Sequence, residues 1–154
     1  MQAALQYQGG LRAEGAGSPS GRVANPLTPE NLKGLIKDPV TGVKVGSVAV
    51  CEKGGKWTVH YVPLQTYEKL VSYLEKHGSL QSRYRDYRNA VIAAAKATGQ
   101  YSSGRGTHGL KTSFAKNRYL ECVRHGLTHE QAIQATALEL AHNRSDITMI
   151  YTRG

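Results

Sequence analysis

The sequence predicts a mainly helical α+β domain in which one small antiparallel β-sheet lies beside a helical core. Three observations predict this class. Most segments carry helical apolar spacing with capping residues, one pair of β-rich runs is joined by a short turn, and the chain has 154 residues, which is room for about one domain with a single core. No internal repeat appears, so a solenoid is excluded.

The sheet is predicted from residues 45–51 and 57–64. Both runs are rich in β-branched and aromatic residues, and Lys53-Gly54-Gly55-Lys56 separates them. This pattern predicts a β-hairpin with a cationic tip.

The N-terminal third shows weaker signals. Residues 1–7 are compatible with a helix that ends at Gly9-Gly10, and because no helix start precedes them we expect the chain to be a fragment that begins inside an element. Residues 13–25 are rich in Gly, Ser and Pro and predict a loop. Thr28-Pro29-Glu30 supplies an N-cap, a first-turn proline and a first-turn acid, which predict a short helix to about Lys37.

The C-terminal half predicts a series of helices. Residues 64–77 form an amphipathic pattern that stops at Gly78, and residues 82–98 form another that stops at Gly99. A Gly/Ser-rich loop leads to His108, where a helix to about Arg124 is predicted. Two further helices are expected, one with a capping box at residues 128–131 that ends near residue 141, and a short one that is capped by residue 145 and carries residue 151.

Composition narrows the function classes. Twenty Lys and Arg residues against eleven Asp and Glu residues give a formal net charge of +9, and neutralisation of phosphate is the commonest use of such an excess, so nucleic acid is the leading partner. No helix combines a bulky apolar face with a dense basic rim, as membrane binding requires. Cys51 and Cys122 lack metal-ligand spacing and are expected to be reduced thiols.

No signal peptide or transmembrane segment is expected, because the N-terminus lacks a basic region followed by a long apolar run. We therefore expect a soluble, cytoplasmic, nucleoid-associated protein.

Four segments in order carry a family resemblance. Residues 4–12 read ALQYQGGLR; residues 52–56 read EKGGK, with VPL at 62–64; residues 108–115 read HGLKTSFA; and residues 140–151 read LAHNRSDITMIY. These segments resemble the patterns A-L-x-x-x-x-G-L-R, G-K-G-x-K with V-P-L, H-x-L-R-H-T-F-A and L-G-H-x-x-x-x-T-T-x-x-Y of the catalytic domain of tyrosine recombinases, the phage-integrase family. The resemblance implies the catalytic fold that this family shares with type IB topoisomerases, and it makes residues 1–154 one catalytic domain without the preceding core-binding domain.

The resemblance also implies roles for six residues. Tyr151, which lies nine residues after His142, would be the nucleophile that forms a 3′-phosphotyrosyl bond with DNA. Arg12 and Lys111 would hold the phosphate, and His142 would donate to a non-bridging oxygen. His108 would accept the tyrosine proton, and Lys53, with Lys56 as the alternative, would protonate the 5′-oxygen.

Further basic residues are candidates for DNA contact, although a solvated helix end is the slightly favoured explanation for the arginines near residue 85. These candidates are Lys56, Arg83, Arg85, Arg88 and Arg105. His60, His77, His125 and His129 are expected to be structural, because the last two fall on different elements and make a poor metal pair. No metal and no cofactor is expected, and the partners are double-stranded DNA and, in a full-length protein, further copies in a tetramer.

Three departures from the family pattern bear on activity. Lys111 stands where the family has its second arginine, so it keeps a charge but loses the bidentate fork. After Arg12 the sequence AEGAGS replaces a helix that carries a glutamate one turn on, which would hold Arg12 less firmly. Only three residues follow Tyr151, whereas family members often extend a C-terminal segment onto a neighbouring protomer, so we expect weaker tetramer assembly from this sequence alone.

Two hypotheses of different classes follow. The first is an enzyme that cuts and rejoins one DNA strand, with relaxation of supercoils as a less favoured variant. The second is a recombinase-like DNA-binding protein or accessory subunit without strand cleavage. A covalent protein–DNA adduct would distinguish the two.

Overall fold

A computed structural model describes residues 1–19, 24–52, 55–99 and 108–140 of the chain, with the side chain of His108 excepted. The described helices are α1 (Gln2–Gly9), α2 (Leu64–His77), α3 (Tyr84–Ala97), α4 (His108–Arg124) and α5 (His129–Leu140). A single 3-10 turn spans Pro29–Asn31, and the strands are β1 (Leu32–Lys37), β2 (Lys44–Glu52) and β3 (Lys56–Pro63). The predicted class, mainly helical with a small antiparallel sheet, is confirmed.

The sheet has the order β1-β2-β3, with both pairs antiparallel. The predicted hairpin is confirmed as β2 and β3, whose register runs from Val45 opposite Pro63 to Glu52 opposite Lys56. Alternation along β3 buries Thr58, His60 and Val62, while the residues between them are more exposed. The inward row of β3 therefore contains two polar side chains, Thr58 and His60, beside the apolar Val62.

The predicted helix up to Lys37 is wrong. The capping residues form only the 3-10 turn, in which the Asn31 side chain accepts the Thr28 N–H at 2.9 Å, and the chain then continues as β1. Gly34 disfavours a helix and has φ +91° here, next to an irregularity in the β1–β2 register. The free edge of β2 offers a ladder of hydrogen bonds, which overrides the local helix-start signal.

The end of α1 determines where Arg12 lies. Gly10 caps this helix with φ 76°, a left-handed conformation that favours glycine. A Cβ at Gly10 would lie 2.6 Å from the Phe114 ring of α4, and one at Gly9 would lie 2.6 Å from Val62 of β3. The chain that leaves α1 therefore packs closely against the hairpin on one side and against α4 on the other.

Two apolar clusters support these elements. The first joins α1, the sheet and α2 and contains Leu5, Leu11, Ala16, Leu27, Val48, Val50, Val62, Tyr67, Leu70, Leu74 and Leu80. The second joins α4 and α5 and contains Phe114, Ala115, Ile133, Ala137 and Leu140. Since α1 contacts both α4 and β3, it connects the sheet layer to the helical pair.

The helix predictions for the second half agree with the structure within its described part. The capping box before α5 forms, because the Thr128 side chain accepts the Gln131 N–H at 3.2 Å and the Gln131 side chain accepts the Thr128 N–H at 2.9 Å. The predicted last helix lies outside the described residues. None of the described helices is long and apolar enough to span a membrane.

Candidate functional site

Arg12 lies just beyond α1, where the main chain is anchored by the hairpin. Its backbone N–H donates to Oε2 of Glu52 at 2.8 Å, and its Nε lies 4.0 Å from the same oxygen. The side chain is 23% exposed. The backbone is therefore fixed while the guanidinium stays accessible to a ligand.

The segment after Arg12 forms a compact turn. The N–H of Ala16 donates to the Arg12 carbonyl at 3.0 Å, and the N–H of Ser18 donates to the Ala13 carbonyl at 2.8 Å. A Cβ at Gly15 would lie 3.0 Å from both Cγ and Cδ of Glu52. The turn leaves room for a carboxylate from β2, which anchors the backbone of Arg12, while the expectation that AEGAGS holds Arg12 less firmly stays a prediction.

Glu52 is itself held by His60. Oε1 of Glu52 lies 2.5 Å from Nε2 of His60, and Nδ1 of His60 lies 2.9 Å from the Gly9 carbonyl oxygen. The imidazole is fully buried and the carboxylate is 3% exposed. The pair therefore ties the end of α1 to both strands of the hairpin.

The geometry sets the protons of this pair. The Gly9 carbonyl can only accept, so Nδ1 of His60 donates to it, and the short contact at Nε2 then requires one more proton on either His60 or Glu52. Burial pushes the pKa of Glu52 up, but the hydrogen bond and charge of His60, the Arg12 N–H and the charge of Lys111 outweigh it and leave that pKa lowered. The lowered pKa favours the ionised carboxylate of Glu52.

Lys111 lies in the interior beside this pair. It is 2% exposed, and its Nζ donates to the Leu140 carbonyl at the end of α5 at 3.2 Å. Burial, and next the positive charge of Arg12, lower the pKa of Lys111 to about 7, although the charges of Glu52 and Glu14 act in the opposite direction. Lys111 therefore carries only part of its expected positive charge near neutral pH.

A second buried polar cluster, centred on Arg118, holds α4, α5 and the β1–β2 turn together. Arg118 donates from Nη2 to Asp38 at 2.9 Å and to Glu139 at 2.7 Å, and from Nη1 to Glu121 at 3.0 Å. Burial pushes the pKa of Asp38 up, but hydrogen bonds from Arg118 and two backbone N–H groups outweigh it and leave that pKa lowered. Because Glu139 precedes Leu140, this cluster also fixes the carbonyl that Lys111 contacts.

A cavity of about 440 Å³ lies against this cluster, lined in part by Asp38, Tyr61, Arg118 and Glu139. Neither Arg12 nor Lys111 lines it. The cavity is therefore separate from the two predicted phosphate-binding cations.

Of the predicted site residues, Arg12 and Lys111 both lie near the Glu52 carboxylate, Arg12 through its backbone N–H and Lys111 through its charge. Lys56 begins β3 and is exposed, and Arg83, Arg85 and Arg88 are exposed at or near the start of α3. The remaining ones lie outside the described residues: Lys53, Arg105, His142 and Tyr151, together with the side chain of His108.

Sequence reasoning missed the supporting residues Glu52, Arg118, Asp38 and Glu139. One signal for the first was present, since a period of two along β2 places Glu52 on the same inward face as Val48 and Val50. The ion cluster of Arg118 left no such signal, because its members come from three elements far apart in the sequence.

The histidines expected to be structural have such contacts. His60 is buried in the pair described above, and His77 stacks on Tyr73 with ring centroids 4.4 Å apart. Nδ1 of His125 contacts the Glu121 carbonyl at 2.9 Å, and Nδ1 of His129 contacts the Tyr119 hydroxyl at 2.6 Å. Across the described ranges, no three His, Cys, Asp or Glu residues are grouped to hold a metal ion.

Comparisons with known proteins bear on the fold. No protein-family model matches this sequence, and no curated protein matches it. Similar solved structures include XerH site-specific recombinase bound to difH substrate in a pre-cleavage complex, with a TM-score of 0.66, and XerH bound to palindromic difH substrate in a post-cleavage complex, with a TM-score of 0.64. The chain has the fold of a tyrosine recombinase catalytic domain.

The comparisons cover nearly all of this chain but less than half of each XerH chain. Each comparison covers 97% of this chain at 14% identity. The chain spans 41% and 40% of the length of those XerH chains. The similarity therefore concerns one part of the XerH chain, and it is a similarity of fold.

Proposed function

We propose that this chain is a DNA-binding recombinase domain that cleaves and rejoins one strand of duplex DNA through Tyr151. The fold similarity to the XerH recombinase and the four sequence segments in family order support this proposal. The net charge of +9 fits a polyanionic partner.

One observation carries the proposal further than the fold does. Arg12 and Lys111 lie far apart in the sequence, yet the charge of Arg12 lowers the pKa of Lys111. Both border the Glu52 carboxylate. Two cations that converge in this way serve to stabilise charge on the non-bridging oxygens of a phosphodiester.

In the proposed reaction, the Tyr151 oxygen attacks phosphorus, and an O–P bond forms as the bond to the 5′-oxygen breaks. The phenol proton passes to His108, and the 5′-oxygen takes a proton from Lys53 or Lys56. His142 donates a hydrogen bond to a non-bridging oxygen. The phosphotyrosyl ester retains the bond energy, so the reverse attack by a 5′-hydroxyl rejoins the strand without a nucleotide cofactor.

Lys111 sets the strength of this site. Because its pKa is lowered to about 7, the lysine loses part of its positive charge near neutral pH. A bound phosphate would favour the charged form, but this draws on binding energy that an arginine would not require. We therefore expect an attenuated enzyme that Lys111→Arg accelerates.

The exposed basic residues complete the proposal. Lys56 at the hairpin and the arginines around the start of α3 would contact the phosphate backbone, with Arg105 as a further contact. Assembly into a tetramer on DNA and location in the cytoplasm at the nucleoid belong to the full-length protein. Sequence specificity would come from base contacts, not from these phosphate contacts.

The test is a covalent protein–DNA adduct. The chain is incubated with a pool of nicked duplexes of varied sequence, and the products are separated under denaturing conditions. We expect an adduct with the native chain, about ten- to a hundredfold more adduct with Lys111→Arg, and none with Tyr151→Phe. If Lys111→Arg forms no adduct with any duplex of the pool, the proposed cleavage is refuted.

A second candidate function is DNA binding without cleavage, as an inactive partner or accessory subunit. The hydrogen bond from the buried Lys111 to the Leu140 carbonyl favours it, because this lysine is satisfied within the protein. It predicts salt-dependent binding of duplex DNA that is equal in the native chain and in Tyr151→Phe, with no adduct from either.

A further inference from the structure

Glu52 and His60 form a buried pair beside the proposed phosphate site, and neither residue reacts in the mechanism above. The two oxygens of Glu52 serve different partners. Oε1 contacts His60, and Oε2 accepts the backbone N–H of Arg12 at 2.8 Å.

The distance to the Arg12 side chain is informative. A carboxylate that pairs with an arginine fork makes two parallel hydrogen bonds at about 2.8 Å. Here the Nε of Arg12 lies 4.0 Å from Oε2 of Glu52. The carboxylate thus holds the backbone of Arg12 without occupying its guanidinium.

His60 explains why Glu52 stays in this position. The imidazole is fixed by the Gly9 carbonyl on one side and holds Oε1 on the other. Without that contact, a buried carboxylate next to Arg12 and Lys111 would turn toward the nearest cation. It would then compete with the phosphate for the guanidinium.

We propose that Glu52 and His60 are positioning residues that fix the backbone of Arg12 and keep its guanidinium open for a DNA phosphate. This proposal rests on the proposed function of Arg12. It goes beyond it by assigning two residues on the hairpin strands to the arrangement of the phosphate site.

The first experiment does not depend on activity. The order of the Arg12 backbone N–H group is measured by ¹⁵N heteronuclear NOE in the native chain, Glu52→Ala, Glu52→Gln and Leu74→Val, the last being a core variant in α2 that matches a loss of stability. We expect the NOE to fall only in Glu52→Ala, because an amide at position 52 can still accept the Arg12 N–H and donate to His60. An unchanged NOE in a folded Glu52→Ala protein overturns the proposal.

The second experiment tests His60 by its coupling to Glu52. Affinity for a duplex is compared in the native chain, His60→Leu and the double variant His60→Leu/Glu52→Gln. We expect His60→Leu to bind about tenfold more weakly, because the released carboxylate pairs with Arg12, and the double variant to recover most of that loss. If the double variant binds as weakly as His60→Leu or more weakly, the assigned role of His60 is refuted. Thermal unfolding serves as the control, because it identifies a variant that has not folded.

The third experiment separates this proposal from the proposed function. The rate of adduct formation at saturating DNA should fall about ten- to a hundredfold in Glu52→Ala and change less than about threefold in Glu52→Gln and Leu74→Val. Equal losses in Glu52→Ala and Leu74→Val would overturn the positioning role. If no protein forms an adduct, cleavage fails as a function, while the NOE and affinity measurements still decide the positions of Glu52 and His60.

Discussion

Replacing Lys111 with Met should make the folded protein more stable at low pH and should flatten part of its pH dependence. Lys111 is 2% exposed, and burial and Arg12 lower its pKa from 10.5 to about 7. Met has a similar length and carries no charge to bury. The penalty for burying a charged Lys111 therefore disappears in the variant.

The size of the effect follows from the pKa difference. Each pH unit of such a difference corresponds to about 1.4 kcal/mol, so the change from 10.5 to about 7 corresponds to about 5 kcal/mol. Water entry and local relaxation reduce this amount, and we expect about 2–4 kcal/mol. The lost hydrogen bond to the Leu140 carbonyl costs about 1 kcal/mol at every pH and does not alter the slope.

The sign is fixed by proton counting. Between about pH 7 and 10.5 the unfolded chain holds a proton on Lys111 that the folded chain lacks, so the free energy of unfolding of the native chain rises with pH through this window. Below the window both states are charged and the penalty is complete. Lys111→Met should therefore gain most below about pH 7 and progressively less above it.

Urea unfolding at a series of pH values measures this difference. The free energies of Lys111→Met and the native chain are compared at about pH 6 and about pH 9.5, with Lys69→Met, an exposed lysine on α2, as the control. We expect the gain in Lys111→Met to shrink by about 2 kcal/mol or more between the two pH values, while Lys69→Met stays parallel to the native chain. A Lys111→Met curve that runs parallel to the native curve would refute the reasoning.

Three other predictions follow from separate parts of the structure. Arg118→Met leaves two buried carboxylates without their cation and should lower the free energy of unfolding by about 3–5 kcal/mol; a urea titration that shows a loss below about 1 kcal/mol contradicts this. Gly10→Ala and Gly42→Ala both place alanine at positive φ, but only the first meets a ring, at 2.6 Å, so thermal unfolding should show Gly10→Ala to be the less stable by about 1 kcal/mol or more. Duplex affinity at constant salt should fall as pH rises above about 7 in the native chain, because Lys111 loses its proton, and should stay flat in Lys111→Arg. If binding titrations give both proteins the same slope of affinity against pH, Lys111 does not titrate at the proposed DNA site.

Much of the fold was predictable from local signals. The hairpin followed from β-rich runs on either side of a glycine turn, and α2, α3, α4 and α5 followed from apolar spacing and capping residues. Such signals act within a few residues, and the structure forms the same elements where no longer-range interaction opposes them.

The failure at residues 28–37 shows the limit of this reasoning. The helix-start signal at Thr28 is real, since its capping contact forms. It produces only one turn, because the edge of β2 competes for the backbone of β1 through hydrogen bonds to residues 44–48. A local pattern does not contain that competitor.

For the candidate site, the order of family-like segments and the chemistry that a phosphate requires predicted Arg12 and Lys111 as partners, and their partnership stays a prediction. Tertiary structure decided the state of these groups. In the sequence, Lys111 is an ordinary lysine. Its pKa is lowered because its side chain is buried where α4 meets the end of α5, near Arg12. Charge, solvation and hydrogen bonding depend on neighbours in space, which is also why the Glu52–His60 pair that supports Arg12 became visible only in the folded chain.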